Sequence, residues 1–515
     1  MTEDNRRWWT LASMCFALFM IMLDNTVVNV ALPSIQKGLH TSTSGLEWTV
    51  NAYTLTFAVL LVTGGRLGDI FGRRRMFLFG VVAFGASSLF IGFSQSAAWL
   101  VTGRAAQGIG AAFMMPATLS IISNAFPPHE RGKAIGTWAG VSALALAIGP
   151  VLGGFLVESV SWQSIFFLNV PVAALALVVT TFATHESRDE TAPRSVDVPG
   201  VTALTAGLTA LVLALVEGNS WHWGSGRVLA LFAVAVVGLA AFVAIEQRTR
   251  YPMVDFSFFR SRSFLGANVV AFIVSFAMLA MFFFLALYLQ NVRGYTPLQA
   301  GVRFLPSTAV IIVMGPLAGR LADRISPRPL MTVGLLLVAG ALFWQGHLTG
   351  DTSYAFLAPA FVLMGLGMGL VMSPMSTAAM NAVDRSKAGV ASGVLSMSRM
   401  VGGTFGVAAM GALIAGLGKS RLAELLPNVP AATRQQVADG LGAGSSSQLH
   451  DPQIGHAAQQ AFLYAMNNGM RIGAAVAVAG ALAAWALIDN RIPARAPQEQ
   501  GADEVVAAEA LAEAA

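Results

Sequence analysis

The sequence predicts an all-α integral membrane protein of 14 transmembrane helices, built as two similar six-helix bundles with two extra helices between them. Three observations predict it. The 515-residue chain is 55% hydrophobic and only 11% charged, with a mean hydropathy of +0.66, whereas a soluble domain carries about 25% charged residues. Its apolar residues fall into fourteen runs, each near the ~20 residues that a helix needs to cross a bilayer. Two stretches of the first half also recur in the second at a near-constant offset.

The runs are 8–32, 46–65, 76–95, 98–125, 132–157, 163–182, 199–217, 227–246, 264–290, 297–319, 329–348, 353–381, 387–416 and 461–488. Backbone polar groups in lipid must be satisfied within helices or closed barrels. Runs this long and continuous exclude barrel strands, which take ~10 alternating residues. The first run is long and lacks a small-residue cleavage site after it, so it reads as a retained helix. Arginine and lysine mark the loops. Arg6 and Arg7 precede the first span, Arg66 and Arg73 to Arg75 follow the second, and Arg131 and Lys133 follow the fourth. The loops after the sixth, eighth, tenth and twelfth spans continue the pattern, whereas the opposite set of short loops holds little beyond Lys37, Arg227 and Arg293. The positive-inside rule then places both termini in the cytoplasm. The net charge of +5 is spent on these loops and does not suggest a nucleic-acid partner. One cysteine, Cys15, excludes a disulfide framework within the chain.

The expected division is residues 1–182 as the first six-helix bundle, 183–263 as linkers and the two extra helices, and 264–489 as the second bundle. The second bundle carries a polar external loop at 417–460, with a short helix expected near 431–441, and 490–515 form an acidic, disordered tail. No phosphate-cradling loop is present, so ATP is not the expected energy source.

Gly65-Arg66-Leu67-Gly68-Asp69-Ile70-Phe71-Gly72-Arg73 returns as Gly319-Arg320-Leu321-Ala322-Asp323-Arg324, and Gly110-Ala111-Ala112-Phe113-Met114-Met115-Pro116 returns before Pro374, at offsets of 254–258 residues. Repeated halves with a midplane cavity between them are the architecture of a rocking-bundle transporter. Asp24 stands out against it. A carboxylate inside a span costs about 2.5–3.5 kcal/mol on insertion scales, so such a residue marks a proton or cation site unless it reaches headgroups or water. Burial disfavours the charged form of a carboxylate, which lets one take a proton and release it when its surroundings open elsewhere. Arg104 in the fourth span either pairs or snorkels to the surface. Asn29, Trp48, Asn51, Tyr53, Gln107, Trp138 and Gln290 are polar or amphipathic residues expected to line a cavity. Gly140, Gly149, Gly153 and Gly154 allow close helix approach, and Pro150 bends the fifth span.

Gly65-X-Leu67-X-Asp69-X-X-Gly72-Arg73-Arg74 resembles the loop signature of the major facilitator superfamily. Leu23-Asp24-X-Thr26-Val27-Val28-Asn29-Val30-Ala31-Leu32-Pro33 resembles the first-span signature of its fourteen-helix drug:proton antiporter branch, and three further stretches agree. They are Arg104 to Gly108, Gly140 with Gly149 to Gly154, and Gln290 to Gly301. One departure is Trp162-Gln163-Ser164, where the family has Trp-Arg-Trp. The resemblance implies a proton-coupled multidrug exporter of the bacterial cytoplasmic membrane, conferring antibiotic resistance and working as a monomer. It implies proton coupling by Asp24 and Arg104, and an antiporter motif at Gly140, Gly149, Pro150, Gly153 and Gly154. It further implies a gate of Gly65, Asp69, Gly72 and Arg73, with Asp69 facing the chain near Lys387 to Gly389 and Asp323 its mate near Gly132. No cofactor or metal is implied.

The same motifs serve a dedicated exporter of one endogenous metabolite, siderophore or lipid. A membrane-embedded enzyme would need a metal cluster or nucleophile constellation. The seven histidines, at 40, 129, 185, 222, 347, 450 and 456, are scattered without ligand spacing, so no enzymatic activity is expected.

Overall fold

The computed structural model describes residues 2–39, 43–188, 197–218, 221–249, 252, 254, 256–322, 324–384, 387–441 and 452–490. Among them there is no strand. The first half holds α1 (Glu3–Leu39), α2 (Thr43–Phe71), α3 (Arg73–Gly92), α4 (Ala97–Ala125), α5 (Pro128–Ser159), α6 (Ser164–Phe167) and α7 (Asn169–Ala183). Helices α8 (Val198–Glu217) and α9 (Gly226–Arg248) follow. The second half holds α10 (Arg262–Leu287), α11 (Pro297–Arg303), α12 (Leu305–Ala322), α13 (Pro327–Gln345), α14 (Tyr354–Asn381), α15 (Ala388–Leu425), α16 (Ala431–Leu441) and α17 (Pro452–Leu487). Thirteen stretches of the described residues are long and apolar enough to cross a membrane. The 32-residue α5 is the fourteenth long helix.

Four differences from the apolar runs have local causes. Helix α2 continues to Phe71, so Gly65 to Asp69 lie on its last turns and not in a loop. The break falls at Gly72, whose φ of 110° favours glycine. The sixth span is two helices, α6 and α7, because Pro171 offers no N–H to the turn before it. Pro306 separates α11 from α12 in the same way. The stretch 417–460 is largely helical: α15 runs on to Leu425, α16 occupies Ala431–Leu441 and α17 begins at Pro452. Hydropathy ends near residue 416, but leucine, alanine, lysine and glutamate are good helix formers and carry α15 beyond its apolar segment.

Packing repeats the duplication in a form that the sequence motifs do not show. Helices α3 and α4 cross where Gly80 and Gly110 meet: a Cβ on Gly80 would lie 2.7 Å from the Gly110 carbonyl oxygen. Helices α13 and α14 cross at Gly334 and Gly367, where a Cβ on Gly334 would lie 2.8 Å from the Gly367 carbonyl oxygen. These pairs share the offset of the sequence repeat. Backbone contact of this kind needs small residues. Helices α8 and α9 pack on each other, and α8 also reaches α2 and α15.

The 184–188 stretch is bound to the first half rather than hanging free. The Glu186 carboxylate accepts the N–H groups of Arg74 at 3.0 Å and Arg75 at 3.2 Å. It therefore caps the start of α3, where negative charge is favoured.

Leucine at Gly110 or Gly367 has nowhere to go without separating two helices. Overpacking of this kind costs about 1–3 kcal/mol. Each variant is expected to lower the thermal unfolding midpoint of detergent-purified protein. Gly224→Ala, at a position with open space around it, should leave the midpoint in place.

Candidate functional site

Five helices of the first half converge on one buried carboxylate. Asp24 of α1 is 3% exposed and Arg104 of α4 is 1% exposed. The Arg104 guanidinium donates to Asp24 Oδ2. It also donates to Gln107 Oε1 at 2.8 Å and, through Nε, to the Thr49 carbonyl of α2 at 3.1 Å. Its face stacks on the Tyr53 ring, 4.3 Å from the centroid. Asp24 Oδ1 accepts from Asn169 of α7 at 3.0 Å and from Gln107 at 3.3 Å. Ser88 of α3 closes the network, accepting from Gln107 at 2.6 Å. Arg104 lies seven residues into α4, about 10 Å along the axis, and its burial and pairing rule out a snorkelling side chain.

Asn169 and Ser88 were not among the expected site residues. Both are polar residues in apolar runs, and Asn169 starts α7 at the break that Pro171 enforces. The break is what allows an asparagine to point into the interior next to Asp24. Conversely, Tyr53, Gln107 and Trp138 do not line an open cavity: they are 1%, 0% and 2% exposed. Gln107 is consumed by the Asp24 network, Tyr53 by Arg104, and Trp138 by the first half's apolar core. Trp48, Asn51 and Gln290 are half-buried, Gln290 in a π-helical turn at Tyr288–Val292. The side chains of Asn29 and Pro150, and Asp323 entirely, lie outside the described residues.

The glycines of α5 divide between two neighbours. A Cβ on Gly149 would run into Thr26, and one on Gly153 would lie 3.1 Å from Val27. Both contacts hold α5 against α1 next to Asp24. Gly136 and Gly140 face Gly315 and Ile312 of α12 instead, in the other half. Gly154 faces open space.

The halves meet at the arginine-rich face. Asp69 accepts the N–H groups of Gly389 at 2.9 Å and Val390 at 2.8 Å, the first turn of α15. Unpaired N–H groups and the helix dipole favour a carboxylate there. Arg73 donates to the same carboxylate at 2.7 and 2.9 Å, which neutralises it. A Cβ on Gly65 would strike the Gly389 carbonyl. The mirror contact brings α12 onto α5: a Cβ on Gly319 would strike the Gly132 carbonyl, which accepts from Ser373 at 3.1 Å. Arg131 donates to Asn381 Oδ1 at 2.8 Å beside it.

Residues 14–407 match the family model described as Major Facilitator Superfamily. The chain is 35% identical over 510 residues to the tetracenomycin C resistance and export protein of Streptomyces glaucescens, covering 96% of this chain and 94% of that one. It is 39% identical over 410 residues to the multidrug resistance protein Stp of Mycobacterium tuberculosis (79% and 75% covered). It is 38% identical over 426 residues to the puromycin resistance protein pur8 of Streptomyces alboniger (82% and 84% covered). Among solved structures, the proton:xylose symporter XylE aligns with a TM-score of 0.62 at 14% identity, covering 95% of this chain and 97% of that one, a likeness of fold.

Removing one partner of a buried ion pair costs about 3–5 kcal/mol, because the other charge is left uncompensated. Asp24→Asn and Arg104→Gln should each destabilise the purified protein strongly. The double variant should be less destabilised than their sum, by more than about 1 kcal/mol, since neighbours in one network couple. Strict additivity in that thermal-unfolding cycle would show that the two charges do not support each other.

Proposed function

Because this chain belongs to the major facilitator superfamily, we propose that it exports hydrophobic or amphipathic small molecules in exchange for protons. Export runs across the bacterial cytoplasmic membrane, with the arginine-rich face and both termini in the cytoplasm and a single chain as the working unit. The observation that carries this reading is the sealed Asp24–Arg104 pair. Its carboxylate is the titratable half of a network that spans five helices. A proton arriving on Asp24 removes the charge that Arg104 is bonded to. Arg104, Gln107 and Asn169 must then find new partners, and the packing of α1 against α4 and α7 changes. Helix α1 touches α5 through Thr26 and Val27, and α5 touches α12 through Gly136 and Gly140. The Asp24–Arg104 network is thus two helix contacts away from the seam between the halves. The Asp69 clamp and its mirror at Gly132 close the cytoplasmic side in this conformation, and the exchange cycle opens them.

The driving force suffices. One proton crossing 100 mV supplies about 2.3 kcal/mol, and each unit of pH difference adds about 1.4. One observation favours a narrower reading. The relative matched over 94% of its length is named for resistance to and export of one compound, so export of a single endogenous product is the second reading.

Reconstitution in proteoliposomes with an imposed pH gradient and a panel of dyes, antibiotics and metabolites tests both. Broad uphill transport supports multidrug export, and uphill transport of one compound alone supports the dedicated exporter. In either case Asp24→Asn and the Asp24→Asn/Arg104→Gln double variant should insert but fail to concentrate substrate. Normal uphill transport by both variants would remove Asp24 from coupling.

A further inference from the structure

Arg399 is a charge that this cycle does not use. It lies in α15, ten residues beyond Gly389. That is about 15 Å along the helix axis from the Asp69 clamp, half of a hydrocarbon layer ~30 Å thick. Ser392 and Gly406 lie seven residues to either side of it, about 20° round the helix from it, so the three share one stripe. Ser392 donates to the Pro116 carbonyl of α4, in the other half, at 2.9 Å. A Cβ on Gly406 would run into the Phe276 carbonyl of α10. Arg399 therefore leaves α15 on the face that meets α4 of the first half on one side of it and, through Gly402, Gly403 and Gly406, α10 of the second half on the other. The walls there are soft. Met400 packs against the core of the first half, and Met372 reaches the cores of both halves.

Among the described residues, no hydrogen bond, ion pair or ring contact reaches Arg399. Its side chain is half-buried in the middle of a span. One turn nearer the clamp, Ser396 Oγ is buried and also has no partner among the described residues. The contrast with Arg104 is direct: the same guanidinium, when built into the fold, receives Asp24, Gln107, the Thr49 carbonyl and the Tyr53 ring. A guanidinium keeps its charge at any physiological pH and presents a planar fork that fits both oxygens of a carboxylate. Such a charge within a span marks a substrate or ion pathway when the protein itself does not pair it.

We propose that Arg399 binds the carboxylate of an acidic, aromatic or amphipathic substrate on this face of α15. Ser396 supplies a second hydrogen bond, and Met372 and Met400 cover the apolar part, as flexible, polarisable side chains do. The direction of movement rests on the exporter reading; the binding rests on the geometry of α15 alone.

Equilibrium binding to the detergent-purified full chain tests it, with 2-naphthoic acid and anthracene-9-carboxylic acid as probes, each against its own methyl ester. The native protein should favour the acids over the esters. Arg399→Gln should lose about ten- to hundredfold in affinity for the acids, the range of a hydrogen bond to a charged group, and bring the acid-to-ester ratio near one. Arg399→Lys, which keeps the charge without the fork, should fall between. Arg471→Gln, at an exposed arginine beside Gly346, should leave the ratio as it is. Equal weakening of acid and ester in Arg399→Gln, or no acid preference in the native protein, overturns the assignment. Proteoliposome transport separates the two readings. Acid-selective binding without uphill transport of any compound overturns the exporter reading and leaves the assignment standing. Uphill transport of the esters without acid-selective binding does the reverse.

Discussion

Charge in a low-dielectric interior has to be compensated, and the arrangement of this molecule follows from how each buried charge is met. Asp24 and Arg104 compensate each other, but one contact is not enough. The carboxylate also takes Asn169 and Gln107, and the guanidinium takes the Thr49 carbonyl and the Tyr53 ring. Five helices are therefore held in register by one ion pair. Asp69 follows the same rule at the arginine-rich face, where Arg73 and two backbone N–H groups share its charge. In both places the interaction that satisfies the charge is also the one that fixes the helices.

The two halves share geometry but not chemistry. Glycine crossings recur at Gly80–Gly110 and Gly334–Gly367, and glycine seams recur at Gly65–Gly389 and Gly319–Gly132. The polar centre does not recur. The first half buries a paired acid and base, and the second half carries Arg399 in the middle of α15 with no acid against it among the described residues. Duplication preserved the positions where backbones must touch, which only small residues permit, while the positions that carry charge diverged.

Much of this was legible in the sequence because its signals are local or periodic. Fourteen apolar runs, arginine in alternate loops, and a repeated Gly-Arg-Leu-X-Asp motif give the fold. Asp24 announces itself by cost, since a carboxylate in an apolar run needs a reason. Its partners do not, because Asn169 is 145 residues away and only the fold brings it near. Residues such as Tyr53, Gln107 and Trp138 show the same limit. A polar side chain in a span reads equally well as a cavity wall or as a buried partner, and here the hydrogen-bond demand of Asp24 and Arg104 decided it. Helix ends were the other blind spot: hydropathy marks where a helix leaves an apolar layer, whereas capping, glycine and proline mark where it stops.

The length of α15 has a mechanical consequence. It is one continuous helix of 38 residues, about 57 Å long, pinned near its first turn by Asp69 and Gly65. Pinned there, it is a lever whose fulcrum is the clamp. A tilt of about 10° sweeps the far end through roughly 10 Å but moves the backbone at Arg399 by only about 3 Å, given 1.5 Å of rise per residue. The short arm is a fine adjustment and the long arm a coarse one. One small rotation can therefore admit or release a molecule at the far end while barely shifting the guanidinium at mid-depth.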